Sequence, residues 1–538
     1  MRTVILSLAC LVALALVAVL AVRSFRSRPV PPPAPQSAAP QFTWQPLGDT
    51  SRQAGEDSEL AAQLRTLCST CHVFPPADVE PKWLWPGKIE QMFGYIRTMP
   101  QVAGKPVPPI DQVTAYWVSR APEQLTLPPD ALGSPPSPLP FRIREITLPA
   151  IPSPASVSCV RFVQLSDEAP VQLLISDMRQ GTVVLWDPGQ AEDTAQVVGR
   201  MAHPCRTHVV DLDGDGLRDI LVANLGDYWP VDTDKGTVVW LRNRGQGRFD
   251  NVVLADGLGR VNEVDAADFD GDGDLDVVVA VFGNLTTGMI LYLENLTEDY
   301  GHPDFEGYSL DGHTGTSDVP GADLNGDGRP DFVALQAQQH ERIAAFLNVG
   351  KGRFNSELIY AAPHPRWGST GIRLLDFDSD GDLDVLFNHG DSVLIPPVPR
   401  PYHGVSWLEN RGVYPFTYHR LAHMPGAHTS LPGDLDGDGD LDLACSAFIP
   451  AFDPNWPVAR NLDSVAWLQQ TAPGQFTRYA IQTGTAFHPC GDLGDLDADG
   501  DLDIVLGNFF MYPDKIPARD SCLTIVENAR APSVKARP

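Results

Sequence analysis

The sequence is short of positive charge. Lys plus Arg number 39 against 68 Asp plus Glu in 538 residues, a formal net charge of −29. That deficit excludes nucleic acid as a partner, because neutralising phosphates needs basic surface. Familiar catalytic signatures are missing as well: no G-x-S-x-G elbow, no H-E-x-x-H and no dinucleotide fingerprint. Long apolar runs are scarce, and Val4–Val22 is a 19-residue apolar stretch without a charge, about enough to cross hydrocarbon. Cysteine is sparse, at 8 residues.

What is abundant is turn chemistry. The 50 prolines and 46 glycines, with aromatic and β-branched residues between them, read as many short strands, and the length requires two or more domains. No small-x-small cleavage site follows Val22, which favours an uncleaved membrane anchor over a signal peptide. Cys10 makes a poor lipoprotein box, placed too early. Arg23, Arg26 and Arg28 lie on the wrong side of the span by the positive-inside rule, so orientation must come from elsewhere. The Pro/Ala/Ser-rich PVPPPAPQSAAP that follows is an extended tether.

Cys68-Ser69-Thr70-Cys71-His72 is C-x-x-C-H, the pattern of covalent c-type haem attachment. The two thiols add across the haem vinyls, and the adjacent imidazole of His72 reaches iron from the same turn. A thioredoxin-like reading lacks its βαβ context, and a zinc reading lacks a second ligand pair. Haem attachment takes place outside the cytoplasm, which overrides the charge rule and places the chain in the periplasm or its equivalent. Leu60, Leu64 and Leu67 recur at helical spacing before the motif, with Asp57 or Ser58 as cap. For the sixth iron ligand the candidates are Met92 and Met99. Met92 is preferred because it shares a helical face with Trp85 and Ile89. Ile110–Leu125 reads as a closing amphipathic helix. The segment resembles cytochrome c domains found ahead of repeat domains in some bacterial exported proteins, on CSTCHVFPP, W-x3-I-x2-MFG and AYW-x3-APEQL. That resemblance implies electron transfer and an all-α domain.

Internal repeats govern the rest. Six segments share D-x-[DN]-x-D-G-x-x-D and run into an apolar strand, with starts separated by 57, 55, 53, 58 and 61 residues. Positions 1, 3, 5 and 9 of each present side-chain oxygens for calcium. They are Asp211, Asp213, Asp215 and Asp219; Asp268, Asp270, Asp272 and Asp276; Asp323, Asn325, Asp327 and Asp331. The remaining three are Asp376, Asp378, Asp380 and Asp384; Asp434, Asp436, Asp438 and Asp442; Asp495, Asp497, Asp499 and Asp503. An EF-hand is excluded, because position 12 is Val222, Val279, Ala334, Phe387, Cys445 or Leu506 rather than Glu. Three further strands follow each loop, so one repeat is a four-stranded propeller blade. Ser156–Arg200 has the strands without the Asp loop and reads as a degenerate first blade. Phe141–Leu148 is a spare strand able to complete the last blade and close a ring of seven. The repeats resemble FG-GAP/VCBS repeats of integrin-α-like propellers, which implies that fold and calcium.

The expected organisation is an anchor or signal segment (1–28), a linker (29–56), a cytochrome c domain (57–126), a linker (127–140), a seven-bladed all-β propeller (141–530) and a tail (531–538). Loops opposite the calcium face carry His203, His208, His313, His364, His423, His428 and His488, with Tyr228, Trp229, Asn284, His340, His389, Trp456, Phe509 and Tyr512. A closed ring gathers these at a mouth suited to a metal, a carbohydrate or a redox substrate, although any one histidine can simply bond a neighbouring loop. Cys159, Cys205, Cys445, Cys490 and Cys522 leave room for one or two disulfides. Three functions compete: a tethered electron-transfer protein whose propeller docks a partner or substrate, a propeller oxidoreductase that passes electrons to its haem, and a calcium-stabilised adhesion scaffold.

Overall fold

The structure is a computed structural model that describes residues 59–97, 102–392, 398–450, 461–514 and 519–530. The apolar run Val4–Val22, the Pro-rich tether, Met99 and Trp456 lie outside the described residues. Among the described residues no helix is long and apolar enough to cross a membrane.

Three helices form the first unit: α1 (Glu59–Cys68), α2 (Trp85–Ile96) and α3 (Ile110–Val118). Each buries one stripe: Ala61, Leu64 and Leu67 on α1, Trp85 and Ile89 on α2, and Val113, Tyr116 and Trp117 on α3. The stripes meet in one core. Trp117 packs 5.4 Å from both Phe74 and Trp85. Its indole N–H donates to the Pro75 carbonyl at 3.1 Å, and that of Trp85 donates to Ala77 at 2.9 Å. α3 is shorter than the expected Ile110–Leu125. It stops at Val118, because Pro122 has no N–H to continue the ladder and disfavours helix in the residue before it.

The second unit is an all-β ring of seven antiparallel sheets. Blade 1 runs from Val157 to Arg200 without an Asp loop, as expected of the degenerate repeat. Blades 2 to 6 begin at Pro204, Val261, Thr316, Ser369 and Ala427. Blade 7 takes three strands from Cys490 to Asn528, and Phe141–Ile146 pairs antiparallel with Leu523–Asn528 as its outer strand. Closure therefore joins the two ends of the ring, and no blade is left short of a strand. In blade 4 the innermost strand is split into Thr316–Asp318 and Gly321–Ala322, because Pro320 interrupts its ladder. The second strand of blades 2 to 7, such as Asp276–Val281, is buried along its whole length. It lies between neighbouring blades and holds their shared cores together.

The helical unit is seated on the propeller. Glu80, 1% exposed, reaches Arg366 at 2.7 Å and the fully buried Arg400 at 3.0 Å. The Tyr402 hydroxyl donates to the Val79 carbonyl at 3.2 Å, and its ring joins the helical core. The connecting segment is pinned as well, with Gly133 N–H donating to the Asn461 carbonyl at 2.8 Å.

Candidate functional site

The six Asp loops are nearly superimposable in their bonding. The position-1 carboxylate accepts the N–H of the position-6 glycine in every case, for example Gly216 to Asp211 at 2.9 Å. All six of those glycines have positive φ, between 85° and 104°. The buried position-9 aspartate accepts two backbone N–H groups. One comes from position 2 and one from the residue ending the next strand, as Phe269 and Asn295 do to Asp276 at 3.1 and 2.8 Å. The third strand ends in Asn or Gln because the side-chain amide there donates to the position-8 carbonyl, as Asn295 Nδ2 does to Leu275 at 3.0 Å and Asn243 Nδ2 to Arg218 at 2.9 Å, closing the loop from behind.

Positions 1, 3 and 9 bring carboxylate oxygens within 4.8 Å of one another in five loops: Asp211/Asp213/Asp219, Asp268/Asp270/Asp276, Asp376/Asp378/Asp384, Asp434/Asp436/Asp442 and Asp495/Asp497/Asp503. The fourth blade has Asn325 at position 3. Position 5 stands apart from these triplets and accepts the N–H of position 7, as in Asp215 from Leu217 and Asp272 from Asp274. Burial pushes the carboxyls of Asp219, Asp276, Asp384, Asp442 and Asp503 up to about 6, and neighbouring aspartates add to it. Crowded carboxylates that resist ionisation are relieved by a hard cation, so the donor set fits calcium. In blade 2 an internal cation already contributes, since Arg242 meets Asp213 at 2.5 Å.

On the opposite face the two units share one cavity of about 1270 Å3. Its roof is the helical unit: Cys68, Cys71 and His72 with Leu64, Leu67, Trp85, Ile89, Met92, Phe93 and Trp117. Its floor is the propeller mouth. α1 ends at Cys68, and His72 N–H closes a turn onto the Cys68 carbonyl at 3.4 Å. His72 Nδ1 donates to the Val73 carbonyl at 2.8 Å, which leaves Nε2 as the ring nitrogen for a metal. Burial lowers the His72 pKa, keeping the imidazole neutral as an iron ligand requires. Two thiols, an oriented imidazole and an apolar crevice fit the group that the C-x-x-C-H pattern implies. Met92 lines the same crevice.

The expected gathering of histidines is partial. His208, His313, His340 and His428 line the cavity with Tyr228, Asn284 and Phe509. His203 and His423 bond carbonyls of Met178 and Pro401 through Nδ1. His488 turns to Gln482 and His389 to Ser406, while His364 packs edge-on against Tyr402 and Trp367. The groups of three or more potential metal ligands among the described residues are the Asp triplets, with no histidine in them. The cysteines Cys159, Cys205, Cys445, Cys490 and Cys522 are free thiols, so the expected disulfides are absent among the described residues. Trp229 and Tyr512 stack on each other at 5.8 Å and do not line the cavity.

Sequence reading missed the axial channel. On the innermost strands, charged residues five or three before an Asp loop line the cavity floor: Arg206 and His208, Glu263 and Asp265, Asp318, Arg373 and Asp492, with Arg161 from blade 1. Arg206 bridges Asp318 at 2.5 Å and Glu263 at 3.2 Å, and His208 meets Asp265 at 3.3 Å. The signal was the period of two on each first strand, counted back from an invariant landmark.

Fold and loops together define a seven-bladed β-propeller, and residues 173–279 and 323–387 of it match the FG-GAP-like repeat family. Among individual proteins, human cartilage acidic protein 1 is 27% identical over 199 residues, which is 34% of this chain and 29% of that protein. The match thus spans under a third of that relative's length. Among solved structures, virginiamycin B lyase from Staphylococcus aureus has a TM-score of 0.43 at 12% identity, covering 72% of this chain and 99% of that one. BBS1N in complex with ARL6DN gives 0.40 at 12% identity, covering 74% and 98%.

Proposed function

We propose that the chain is a membrane-tethered, extracytoplasmic c-type cytochrome for electron transfer, whose calcium-binding propeller docks the electron donor at its mouth. The observation that carries this reading is the shared cavity: Cys68, Cys71 and His72 open onto the propeller mouth, on the face opposite the calcium loops. The helical unit, by its C-x-x-C-H turn and apolar crevice, is read as the cytochrome c domain. Cys68 and Cys71 would anchor the haem, and His72 and Met92 would supply the iron's protein ligands, with Met99 the alternative to Met92. Bound there, the group supplies one-electron chemistry. The chain's own residues exclude water from the crevice, orient His72 through the Val73 carbonyl and shape the approach. Calcium at the Asp loops would stiffen the ring that forms the floor.

A second reading gains from the same geometry. A donor enclosed between mouth and crevice makes the propeller a site of oxidation of a small molecule or sugar, with His313 (held 2.5 Å from Asp311) among the polar groups facing it. The adhesion-scaffold reading leaves the shared cavity without a role.

The test is a visible spectrum of the full chain expressed with a c-type maturation system, followed by addition of candidate donors. Covalent haem whose α-band rises with a specific donor supports the reading. Failure of the Cys68/Cys71 thiols to bind haem, with calcium binding intact, returns the chain to the scaffold class.

A further inference from the structure

The outer strand of blade 3 ends at Asp311, where the chain crosses to blade 4 along the cavity floor. Asp311-Gly312-His313 makes a tight turn there, with the His313 N–H donating to Asp311 Oδ1 at 2.8 Å. The same oxygen lies 2.5 Å from His313 Nδ1. Arg342 fixes the carboxylate from its other oxygen, Nη2 to Oδ2 at 2.9 Å. That Nη2 also stands 3.2 Å from Nδ1, but the carboxylate is the closer neighbour. An ionised carboxylate has no hydrogen to give, so in the neutral ring Nδ1 carries the proton and Nε2 the lone pair. Nε2 has no hydrogen-bond partner among the described residues, and the half-exposed ring lines the cavity.

A second imidazole faces the first. His340 stands edge-on to His313, with ring centres 4.6 Å apart, and lines the same cavity. It is carried by a turn in which Gln338 and Glu341 have positive φ, 59° and 43°, conformations that strain residues other than glycine. Glu341 bolts this turn to blade 5. Its carboxylate accepts the N–H of Gly368 and Ser369 at 3.2 and 3.0 Å and the Ser369 hydroxyl at 2.5 Å. Burial, and then His313, push the His340 imidazole down to about 4. Of the two rings, His313 is therefore the one placed to take a proton, because a carboxylate backs it.

We propose that the Asp311–His313 pair accepts the proton of an acidic hydroxyl, so that the cavity takes a phenol or catechol as its ligand. The bond that breaks is the ligand's O–H. Its hydrogen passes to Nε2 as a proton and the electron pair stays on oxygen, so the step needs no oxidant. Imidazole is too weak a base to hold the proton of a sugar hydroxyl, which selects the acidic class. Asp311 is a positioning residue: it fixes the tautomer and stabilises the imidazolium that forms. The ligand's role as electron donor rests on the electron-transfer reading above, since an oxyanion gives up an electron more readily than the neutral hydroxyl.

The probe is nitrocatechol, whose anion absorbs at longer wavelength than its neutral form. It is added to the full chain at a pH below its own ionisation and read as a difference spectrum. Wild type shows the anion band of bound probe. The band is lost in His313→Gln, weakened in Asp311→Asn and kept in His340→Gln, while all three variants keep a cooperative melt. Absence of binding, bound probe that stays neutral on wild type, or an anion band that survives His313→Gln overturns the proposal. None of these outcomes touches the haem reading, which is decided by the covalent haem spectrum of the matured chain. The haem-free Cys68→Ala/Cys71→Ala chain keeps the anion band, so a failure of haem attachment removes the donor role and leaves the proton site standing.

Discussion

Asp276 shows what a single residue does in this fold. Its carboxylate collects the N–H of Phe269, the N–H of Asn295 and the Tyr292 hydroxyl at 3.1, 2.8 and 2.8 Å, all buried. Asp276→Ala strands these donors, and with each unsatisfied group costing about 1–3 kcal/mol the loss is about 3 kcal/mol or more even with calcium removed. Asp270, on the same loop, takes only the exposed Asp272 N–H at 3.0 Å. Asp270→Asn therefore leaves the calcium-free melt unchanged and lowers the stabilisation that calcium adds. Urea titrations of both variants, with calcium and with chelator, separate the two roles. Equal losses for both variants in chelator would remove the distinction between the bonding and the ligating aspartate. Nothing within the motif ranks these positions, because both are Asp. Only the strand-end Asn, 19 residues away along the chain, marks position 9 as the structural one.

At the level of elements, the repeat made the blades legible. Six Asp landmarks set the loop between the first and second strands, and apolar runs at fixed offsets gave the other strands. Closure was legible for the same reason: a four-strand period with one strand missing at the end and one spare at the start has one economical solution. The helix ends were less so, because Pro122 acts on the turn before it while the apolar spacing continues past Val118. The closing strand carries a prediction of its own. Removing residues 141–146 exposes the Leu523–Asn528 strand, whose Leu523, Ile525 and Val526 are fully buried. An apolar edge of this kind pairs with other chains. The truncated protein loses its cooperative melt and sediments as aggregates, whereas removal of residues 531–538 has neither effect. A monomeric, cooperatively melting 141–146 deletion would show that blade 7 stands on three strands.

For the whole molecule, the arrangement that matters most was the one the sequence hid. Glu80 and Arg400 are 320 residues apart, and no pattern connects them. Each looks like an ordinary surface charge until the helical unit is laid on the mouth. Repeats reveal what recurs, and this contact occurs once. The Asp loops carry a whole-molecule prediction: if calcium binds the folded ring and not the unfolded chain, as proposed, it raises stability by mass action, so chelator lowers the melting temperature of the full chain. The seating of the roof has a different signature. Burial alone would raise the Glu80 carboxyl, but Arg400 and Arg366 outweigh it and hold the group below the ordinary 4.5. A carboxyl depressed by folding contributes stability that is fully present above pH 4.5 and lost as pH falls through its lowered value. Glu80→Gln leaves Arg400 buried and unpaired, a loss of about 3 kcal/mol of docking free energy. In the variant the acid-dependent part of that loss disappears, because glutamine does not titrate. Limited proteolysis of the 127–140 linker between pH 3 and 6 reads the docking directly. Wild type becomes cleavable only below pH 4.5, and Glu80→Gln is cleavable throughout. A wild-type linker equally cleavable at every pH would mean that the roof is held by its apolar contacts alone.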